Sequence, residues 1–585
     1  MPVYSKRQNR SAGKNSGGDR PASDAFEAEL MTGAYDVIVV GAGIAGLTRA
    51  AYAAKAGYRT LLCEKSERPG GLVGSFVRQG FTFDAGIRAF ENSGIVFPML
   101  KQLGIELTFV KNPVVIGIEE AQMTLDGVNS LAAYAAMLGA KFPDNQADIT
   151  AIIDEIRKVI GYMDVLYGIE NPLFMDLTRD KDYLFKTLLP WLFKYQVNIR
   201  KAQQLNEPIA IYLHRFTQNQ ALIDVIIQHF FEKMPTFFAL SYFGLYSDYC
   251  YPIGGTGRLV SALCDYIAAH QGELALGTEI SQIDLNDREV ITRDGRRFGY
   301  CELIWCGDMK ALYRAVEDEQ SEPLGQRVRE QQQKIRQNSG GDSILTVYLG
   351  VDLAPSYFST RCGPHCFYTP SKAGLSAIEA EPWQIVLADP ASSAADRQQA
   401  LKAWVLDYLA LTTYEISCPA LRDPALAPAG KTGVIVSTLM DYRLVKAIFE
   451  VGWYAAVKDL CAEQILTVLE DSLFPGLSGQ VELCFCSTPL TIERRTGNSG
   501  GAITGWAFRD DATAGKFPAV NIFRKIAKST QTPLPHVFQA GQWTFSPSGL
   551  PVSILTGKLA ADAVIKRLTK QRRARSARDD YEAHR

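Results

Sequence analysis

A glycine-rich turn near the start of the chain has the residue types and spacing that hold a pyrophosphate group. Gly41, Gly43 and Gly46 form the sequence G-A-G-I-A-G directly after Val37–Val40, a run of β-branched residues typical of a buried parallel strand. The first glycine allows a tight turn out of the strand, the second lets the backbone approach the phosphates, and the third lets a helix pack closely. The turn therefore predicts a dinucleotide site.

The segments around this turn complete the expected binding unit. A helix is expected from Ile44 to about Gly57, so the backbone of Ile44 and Ala45 and the positive end of the helix dipole face the phosphates. A second strand is expected at 59–63. Glu64 follows it, where a carboxylate can hydrogen-bond both ribose hydroxyls and repel a 2′-phosphate. The site is thus predicted to bind FAD or NAD rather than NADP.

The overall composition is that of a globular protein with more than one domain. The chain has 585 residues, of which 47% are apolar, and a net charge of −2. Two domains, perhaps interleaved, are expected from this length, and no global charge points to nucleic acid. The eleven scattered cysteines suit a reducing cytosol. Cys362-Gly-Pro-His-Cys366 lacks the second ligand pair of a zinc site, so no metal is expected.

Basic residues are concentrated at both ends of the chain. Residues 1–33 are expected to form a disordered basic arm, and 569–585 a basic tail that is amphipathic or disordered. Each end is either merely solvated or in contact with anionic lipid. No uncharged apolar run reaches the ~18 residues that span a bilayer. We therefore expect a cytoplasmic protein that can be peripheral to a membrane.

A second loop with paired glycines follows the acidic residue. Lys65 begins the sequence K-S-E-R-P-G-G, which ends at Gly70 and Gly71 and is followed by Leu72. Proline and paired glycines predict a loop. Because this loop leaves the second strand where the cofactor crevice should open, its backbone is expected to approach the cofactor.

Four groups of motifs resemble one class of flavoproteins. They are E-K-x-x-x-P-G-G with G-F-T-F-D-A-G at 64–86, Y-P-I-G-G-T-G-R-L at 251–259, T-P-L-T with T-G-N at 488–498, and Q-A-G-Q-W, S-G-L-P-V and T-G-K-L-A-A at 539–561. In sequence and in order, over most of the chain, they resemble the phytoene desaturase, carotenoid isomerase and retinol saturase group.

This resemblance implies the fold and the cofactor. It implies an α/β fold in which a Rossmann-type FAD-binding domain, of the glutathione reductase and amine oxidase type, is interleaved with an α+β substrate domain. It also implies FAD rather than NAD in the predicted site. The sequence has no second G-x-G-x-x-G unit, which disfavours the flavin disulfide reductases, since these carry a second nucleotide fold.

The resemblance adds residues to the FAD site from the middle and the end of the chain. It implies that the backbone near Ile280 approaches the adenine. It further implies that the flavin ring lies beside Gly541, Gln542 and a helix that starts at Leu550, Pro551 and Val552. The dipole of such a helix would stabilise negative charge on a reduced flavin. Many relatives have aspartate where this chain has Gln542.

The expected domain boundaries follow these motifs. They are 34–104, 246–314 and 531–568 for three parts of the FAD-binding domain, 105–245 for a helical segment facing substrate or membrane, and 315–530 for the substrate domain. Within the helical segment, the apolar stretch at 184–193 is interrupted only by Lys186, Thr187 and Pro190. It can form plain core, line a lipid tunnel, or lie in a membrane interface.

Arg88 and Glu493 are the catalytic candidates. Making or saturating a carbon–carbon double bond needs a proton donor or acceptor besides the flavin. Arg88 follows the D-A-G motif, and Glu493 lies between T-P-L-T and T-G-N. A structural salt bridge is an equally good interpretation of each.

The expected function is that of an FAD-dependent oxidoreductase acting on a carbon–carbon bond of an apolar polyene or isoprenoid lipid. The resemblance implies desaturation, isomerisation or saturation, and the sequence leaves these three open. It also leaves open the substrate, the electron partner and the oligomeric state. The alternatives are a flavin amine oxidase and a non-enzymatic prenyl-lipid-binding protein of the same fold.

Overall fold

Two seven-stranded β-sheets organise the parts of the chain that the computed structural model describes, which are residues 34–316, 322–378, 382–388, 391–508, 522–545 and 548–584. The strands are β1 (Tyr35–Val40), β2 (Thr60–Cys63), β3 (Ser75–Arg78), β4 (Phe81–Asp84), β5 (Phe109–Lys111), β6 (Val114–Ile118), β7 (Ala121–Leu125), β8 (Cys250–Pro252), β9 (Glu273–Ala275), β10 (Ile280–Asp284), β11 (Glu289–Thr292), β12 (Arg297–Trp305), β13 (Ile344–Val351), β14 (His365–Thr369), β15 (Tyr414–Ser417), β16 (Thr432–Leu439), β17 (Val481–Ser487) and β18 (Val537–Gln539).

Helices cover both sheets. They are α1 (Ile44–Lys55), α2 (Val96–Leu103), α3 (Leu131–Lys141), α4 (Gln146–Tyr167), α5 (Leu189–Gln203), α6 (Ile209–Leu213), α7 (Gln220–Ile227), α8 (Thr236–Leu245), α9 (Gly257–Ala269), α10 (Met309–Ala315), α11 (Leu324–Arg336), α12 (Pro355–Ser359), α13 (Pro382–Ala388), α14 (Ala394–Leu411), α15 (Tyr442–Glu450), α16 (Tyr454–Asp471), α17 (Pro489–Thr496), α18 (Ile522–Ser529) and α19 (Leu550–Ala583).

The first sheet carries the glycine-rich turn. Its order is β10–β11–β12–β1–β2–β9, and β18 also pairs with β12. The strands β18, β12, β1, β2 and β9 are parallel, whereas β10 and β11 extend the sheet as an antiparallel hairpin. Helices α1, α9 and α19 pack on one face, and α10 and α11 on the other. The predicted strand, turn, helix and second strand at 35–63 are therefore confirmed.

The second sheet faces the first domain across a cavity. Its order is β17–β13–β16–β15–β14–β6–β7, and all neighbours are antiparallel except β14 and β6. Helices α14, α15 and α16 share an apolar core with one side of this sheet. The other side carries the cavity-lining residues described below.

A helical layer lies beside the second sheet. Helices α3, α4, α7 and α8 share a core with strands β6 and β7, rich in isoleucine, leucine and aromatic side chains. A π-helical turn at Tyr183–Leu188 leads into α5, which packs one side on α4. Helices thus make up more than half of segment 105–245.

Three domain predictions need correction. The segment 105–245 is not purely helical, because β6 and β7 complete the second sheet through the parallel β14–β6 pair. Residues 324–336, predicted within the substrate domain, form α11 and bury Val328 and Ile335 against the first sheet. The predicted tail at 569–585 continues α19 as far as Ala583. The predicted arm at 1–33 lies outside the described residues.

Candidate functional site

The glycine-rich turn forms an open cradle at the start of α1. Gly41 has a φ of +100°, and its N–H donates to the carbonyl of Cys63 at 2.8 Å. A Cβ on Gly46 would collide with the carbonyl oxygen of Gly41, so the helix packs directly on the turn. A Cβ on Gly43 would instead meet no atom within 4 Å, because Gly43 faces a cavity. The free N–H groups of α1 thus open onto space that suits a phosphate.

Glu64 is fixed at the edge of the same cradle. Its Oε2 accepts a hydrogen bond from the N–H of Ala42 at 2.7 Å, and its Oε1 accepts one from the N–H of Ser66 at 2.9 Å. Gly70 in the second loop donates to the carbonyl of Ala42 at 2.7 Å, which brings this loop against the turn. A carboxylate has about four acceptor positions. Glu64 therefore keeps positions for two ribose hydroxyls where it lines the cavity.

The N-terminus of α19 faces the cavity from the end of the chain. Gly549 and Leu550 line it, and the N–H of Gly541 donates to Oγ1 of Thr556 at 3.0 Å, which joins the preceding loop to this helix. Ser548 Oγ is buried, lines the cavity and has no hydrogen-bond partner among the described residues. An unpartnered hydroxyl beside a helix N-terminus fits a ligand with polar atoms at this point.

One continuous cavity of about 1060 Å³ joins this cradle to the second sheet. At one end are the glycine turn, the second loop and the start of α19. Beyond them the walls are mainly aromatic, including Phe230, Tyr242, Tyr246, Tyr348, Phe367 and Phe485. Such a cavity exceeds the ~300–1,000 Å³ of an ordinary small-molecule pocket, so it has space for a large cofactor together with an apolar substrate.

Three neighbouring strands of the second sheet place side chains on the cavity floor. Phe367 on β14 is opposite Glu415 on β15, and Glu415 is opposite Ser437 on β16. All three residues line the cavity. Since alternate residues of a strand share one face, Thr413 lines it as well. A carboxylate therefore lies in the middle of a floor that is otherwise aromatic or hydroxylic.

A buried chain of hydrogen bonds orients this carboxylate. Arg422 Nη1 donates to Asn112 Oδ1 at 3.1 Å. Asn112 Nδ2 lies 3.2 Å from His365 Nδ1, and His365 Nε2 lies 2.9 Å from Glu415 Oε1. With His365 protonated on Nε2, every contact in the chain joins a donor to an acceptor. The imidazole is 1% exposed and the Glu415 side chain 31%, so the carboxylate is the end that opens to the cavity.

The pKa shifts agree with this arrangement. Burial lowers the pKa of His365 and outweighs the opposite effect of Glu415, so the imidazole is neutral at pH 7. Burial alone would raise the pKa of Glu415. The hydrogen bond from His365, together with the positive charges of Arg88 and Arg422, outweighs burial and holds that pKa below its ordinary value. The cavity floor therefore carries an ionised carboxylate next to a neutral histidine.

The structure places Arg88 in the cavity wall. It is 2% exposed, and its guanidinium donates to the carbonyl of Asp84 at 2.8 Å and to Ser437 Oγ at 3.0 Å. Asp84, from the D-A-G motif, accepts hydrogen bonds from the Tyr251 hydroxyl at 2.7 Å and the Thr256 N–H at 3.0 Å. Arg88 therefore links the hairpin β3–β4 to the cavity floor.

Glu493 has a different position from the one expected of a catalytic group. Its carboxylate accepts hydrogen bonds from the Tyr442 hydroxyl at 2.8 Å and the Gly500 N–H at 3.1 Å. Its neighbours Ile492 and Arg495 line the cavity, but Glu493 does not. Its contacts join α17, α15 and the loop at 499–501, which is a structural role.

The other predicted site residues divide into two sets. Those that line the cavity are Gly41, Gly43, Ile44, Ala45, Glu64, Gly70, Gly71, Leu72, Gly541, Gln542 and Leu550. Those that do not line it are Gly46, Lys65, Ile280, Pro551 and Val552. Ile280 packs in the core on the opposite side of the first sheet, and Lys65 Nζ donates to the carbonyl of Arg494 at 3.4 Å.

Sequence reasoning missed the Glu415 group entirely. Its members come from three distant segments, around 112, 365 and 415–422, and only the pairing of β6, β14 and β15 brings them together. One local signal was present in Tyr414–Ser417. A glutamate between two buried apolar residues of one strand points to the opposite face from them, and this indicates a polar site on that face.

Several known proteins are similar to this chain in sequence. The family model described as an NAD(P)-binding Rossmann-like domain matches residues 39–103. Prolycopene isomerase 1 from an Oncidium hybrid cultivar is 23% identical over 92% of this chain and 85% of its own length. All-trans-retinol 13,14-reductase from Danio rerio is 22% identical over 92% and 87%, respectively. Phytoene desaturase (lycopene-forming) from Pseudescherichia vulneris is 24% identical over 54% and 63%.

Solved structures share the fold at lower identity. An oxidoreductase from Methanosarcina mazei has a TM-score of 0.55 and 14% identity, covering 91% of this chain and 99% of that one. A putrescine oxidase variant has a TM-score of 0.54 and 13% identity, with the same coverage. The predicted α/β fold with a Rossmann-type domain is therefore confirmed. The predicted resemblance is also confirmed, and the chain is a homologue of proteins named prolycopene isomerase, retinol 13,14-reductase and phytoene desaturase.

Proposed function

We propose that this protein is an FAD-dependent oxidoreductase that acts on a carbon–carbon bond of an apolar polyene or isoprenoid lipid. The observation that carries the proposal is the single cavity that joins the dinucleotide cradle to an aromatic compartment. A cofactor in the cradle and an apolar molecule in the compartment would share one space whose walls come from both sheets. The relatives named above support polyenes as the substrate class.

The residues present fit FAD. Gly43 leaves room for the pyrophosphate, Glu64 retains acceptor positions for the ribose, and the unpartnered Ser548 hydroxyl lies at the second helix N-terminus. When bound there, FAD supplies hydride exchange with a substrate carbon. Lys65, Ile280, Pro551 and Val552 stay outside the cavity lining, so we place their contribution in the support of these segments.

Glu415 is the residue we propose for proton transfer. Desaturation removes a hydride from one carbon and a proton from its neighbour, and saturation adds both. An isomerisation that adds a proton must remove one again. Glu415 Oε1 is oriented by His365, and the ionised carboxylate is open to the cavity. It can take up that proton, and in the saturating direction its protonated form can return it. Arg88 holds Ser437 and thereby positions the floor beside Glu415.

An exposed apolar surface beside the helical layer supports binding to a membrane interface. We define this lipid-facing patch as Phe185, Leu189, Leu192, Phe193 and Val197, of which Phe193 is 78% and Phe185 62% exposed. Lys186, Lys194, Arg200 and Lys201 lie along the same segment, and cations beside exposed aromatic groups favour anionic lipid. Among the described residues, no helix is long and apolar enough to cross a bilayer.

The two alternatives receive less support. For the amine oxidase, the likeness to putrescine oxidase extends to the fold alone, whereas the relatives that match most of the chain are named for prolycopene and retinol. A non-enzymatic lipid-binding protein would not need the open Gly43 cradle or the fixed Glu64 carboxylate.

The test is an anaerobic titration of the purified protein. A visible flavin spectrum that bleaches with carotenoid precursors, retinoids or unsaturated fatty acids, with a product two hydrogens lighter, would establish a desaturase. A product of unchanged mass and altered geometry would establish an isomerase, and a heavier product from pre-reduced enzyme a saturase. A protein that binds no added FAD would contradict the proposal, and turnover of amines with peroxide release would favour the amine oxidase.

A further inference from the structure

Two neighbouring residues of the cavity wall together carry three buried polar atoms that have no hydrogen-bond partner among the described residues. They are Nε2 of Gln228 and both ring nitrogens of His229. The two residues are consecutive, directly after α7, and both line the cavity. Buried polar atoms are almost always paired, and each unpaired one is costly. Their presence together points to a polar group of the cavity's occupant.

The surroundings fix what these residues offer. Gln228 Oε1 accepts a hydrogen bond from the Thr413 hydroxyl at 3.0 Å, which leaves the amide N–H₂ as the free end. The His229 ring lies with its centroid 5.4 Å from that of Phe367, in edge-to-face contact. Burial lowers the pKa of His229 to about 4, so the ring is neutral and has one N–H donor and one nitrogen acceptor. The unpaired donors are thus the amide N–H₂ of Gln228 and one ring N–H of His229, and the unpaired acceptor is the other ring nitrogen of His229.

Charges lining the same cavity restrict the partner further. Glu91 and Glu415 both line the cavity. The charge of each carboxylate raises the pKa of Tyr242, so both lie near the same wall. Glu415 is ionised and would repel a carboxylate or phosphate on the substrate, and none of the described cations that line the cavity perturbs the pKa of Tyr242 or His229 at this wall. An ammonium group has donors only and would leave Gln228 and the His229 N–H unpaired. A hydroxyl group both accepts and donates, and it carries no charge.

We propose that Gln228 and His229 bind a hydroxyl group of the substrate, so that the preferred ligand is a polyene or isoprenoid alcohol rather than a hydrocarbon, acid or amine. The hydroxyl oxygen accepts from Gln228 Nε2, and its hydrogen is donated to the unprotonated ring nitrogen of His229. This inference rests on the proposed function, because it assumes that an isoprenoid occupies the aromatic compartment.

The test compares ligands on the FAD-loaded full-length protein. Geranylgeraniol, the hydrocarbon in which its hydroxyl is replaced by hydrogen, and geranylgeranoic acid are titrated, and binding is followed by calorimetry and by the flavin spectrum. We expect the alcohol to bind at least about tenfold more tightly than either analogue, the effect of one or two net hydrogen bonds between neutral groups. Equal affinity for alcohol and hydrocarbon, or tighter binding of the acid, would overturn the inference.

Two variants test whether Gln228 and His229 cause the difference in affinity between the alcohol and the hydrocarbon. Gln228→Met and His229→Phe keep the approximate shape and remove the polar atoms. Each should lower the affinity for the alcohol about tenfold and leave that for the hydrocarbon unchanged. The chain offers a matched control in His270 and Gln271, adjacent residues of the same two types that are exposed at the end of α9. His270→Phe and Gln271→Met should change neither affinity.

The outcomes separate this inference from the proposed function. If the flavin binds and the hydrocarbon is bound or turned over as well as the alcohol, only the hydroxyl site fails. If no isoprenoid binds to the flavin-loaded protein, the proposed function fails. If Gln228→Met or His229→Phe loses flavin while folded by circular dichroism, these residues serve the cofactor and the inference is overturned. If a variant does not fold, the affinities of the unmodified protein for the alcohol, the hydrocarbon and the acid still test the preference for a hydroxyl group.

Discussion

Nε2 of His365 lies 2.9 Å from Oε1 of Glu415, across the antiparallel pair β14–β15. The two residues are not directly opposite, since His365 is opposite Ser417 and Glu415 is opposite Phe367. The diagonal contact pulls the carboxylate toward a buried imidazole that Asn112 holds from its other side. This contact fixes the orientation of the ionised group on the cavity floor.

Glu415→Gln should lower kcat by about 10²- to 10⁴-fold, the usual contribution of a positioned acid or base. The amide keeps the size of the side chain but can no longer take up a proton. Flavin content should stay unchanged, because Glu415 lies away from the glycine cradle. Product formation in deuterated water, with mass analysis, measures the exchange of the proton directly.

The matched variant is Glu493→Gln, which removes a carboxylate hydrogen-bonded to Tyr442 and Gly500 outside the cavity lining. It should lower the free energy of unfolding by about 1 kcal/mol and leave the deuterium content of the product unchanged. A larger loss of kcat in Glu493→Gln than in Glu415→Gln would reverse the two roles.

Stability should fall as the pH rises through neutrality, partly because of Glu91. Burial, followed by the charge of Asp248, raises the pKa of Glu91 to about 7 in the folded protein. An unfolded chain ionises this residue near pH 4.3, so its contribution is fully present below that pH and is lost as the pH rises toward 7. Glu91→Gln should therefore flatten the decline of Tm between pH 5 and pH 8. Parallel declines in both proteins would show that Glu91 does not titrate as described.

Gly43→Val should abolish flavin binding without unfolding the protein. The side chain would enter the open space in front of the α1 N-terminus, where the pyrophosphate is expected. We expect the flavin Kd to rise at least ~100-fold, or about 2.7 kcal/mol, measured by fluorescence titration of the apoprotein. Gly161→Ala in α4 is the control, since its new Cβ also meets no atom within 4 Å but lies far from the cradle. Normal flavin binding by Gly43→Val would place the cofactor elsewhere.

Replacing both Phe185 and Phe193 by aspartate should prevent flotation with anionic liposomes. These side chains dominate the lipid-facing patch, and a charged group there would have to enter the interface. Ile385→Asp tests whether any exposed apolar position has the same effect, because Ile385 is 75% exposed on a different helix. Unmodified protein that stays wholly at the bottom of the gradient would refute membrane binding.

The sequence was most informative where the chemistry depends on neighbours along the chain. The turn from Gly41 to Gly46, its helix and Glu64 were predictable because each has a local conformational reason. Glu415 was not, because its partners His365, Asn112 and Arg422 come together only when β6 pairs with β14 and β14 with β15.

Glu493 illustrates a different relation between a motif and the cavity. Its position between two motifs suggested the active site, and its neighbours Ile492 and Arg495 do line the cavity. Successive residues of a helix point about 100° apart, so the face of α17 that carries Glu493 turns toward Tyr442 instead. Motif proximity identified the correct helix but could not identify which of its faces is turned inward.

Both sheets contribute to the cavity wall, so whatever fills the cavity touches the two halves of the protein at once. A ligand that binds only the folded form stabilises it in proportion to the logarithm of its concentration over its Kd. Newly made protein without cofactor would therefore open more often between the sheets and be cleaved sooner by proteases. If FAD is that ligand, as proposed above, the amount of this protein in a cell should follow the supply of riboflavin as well as the rate of its synthesis.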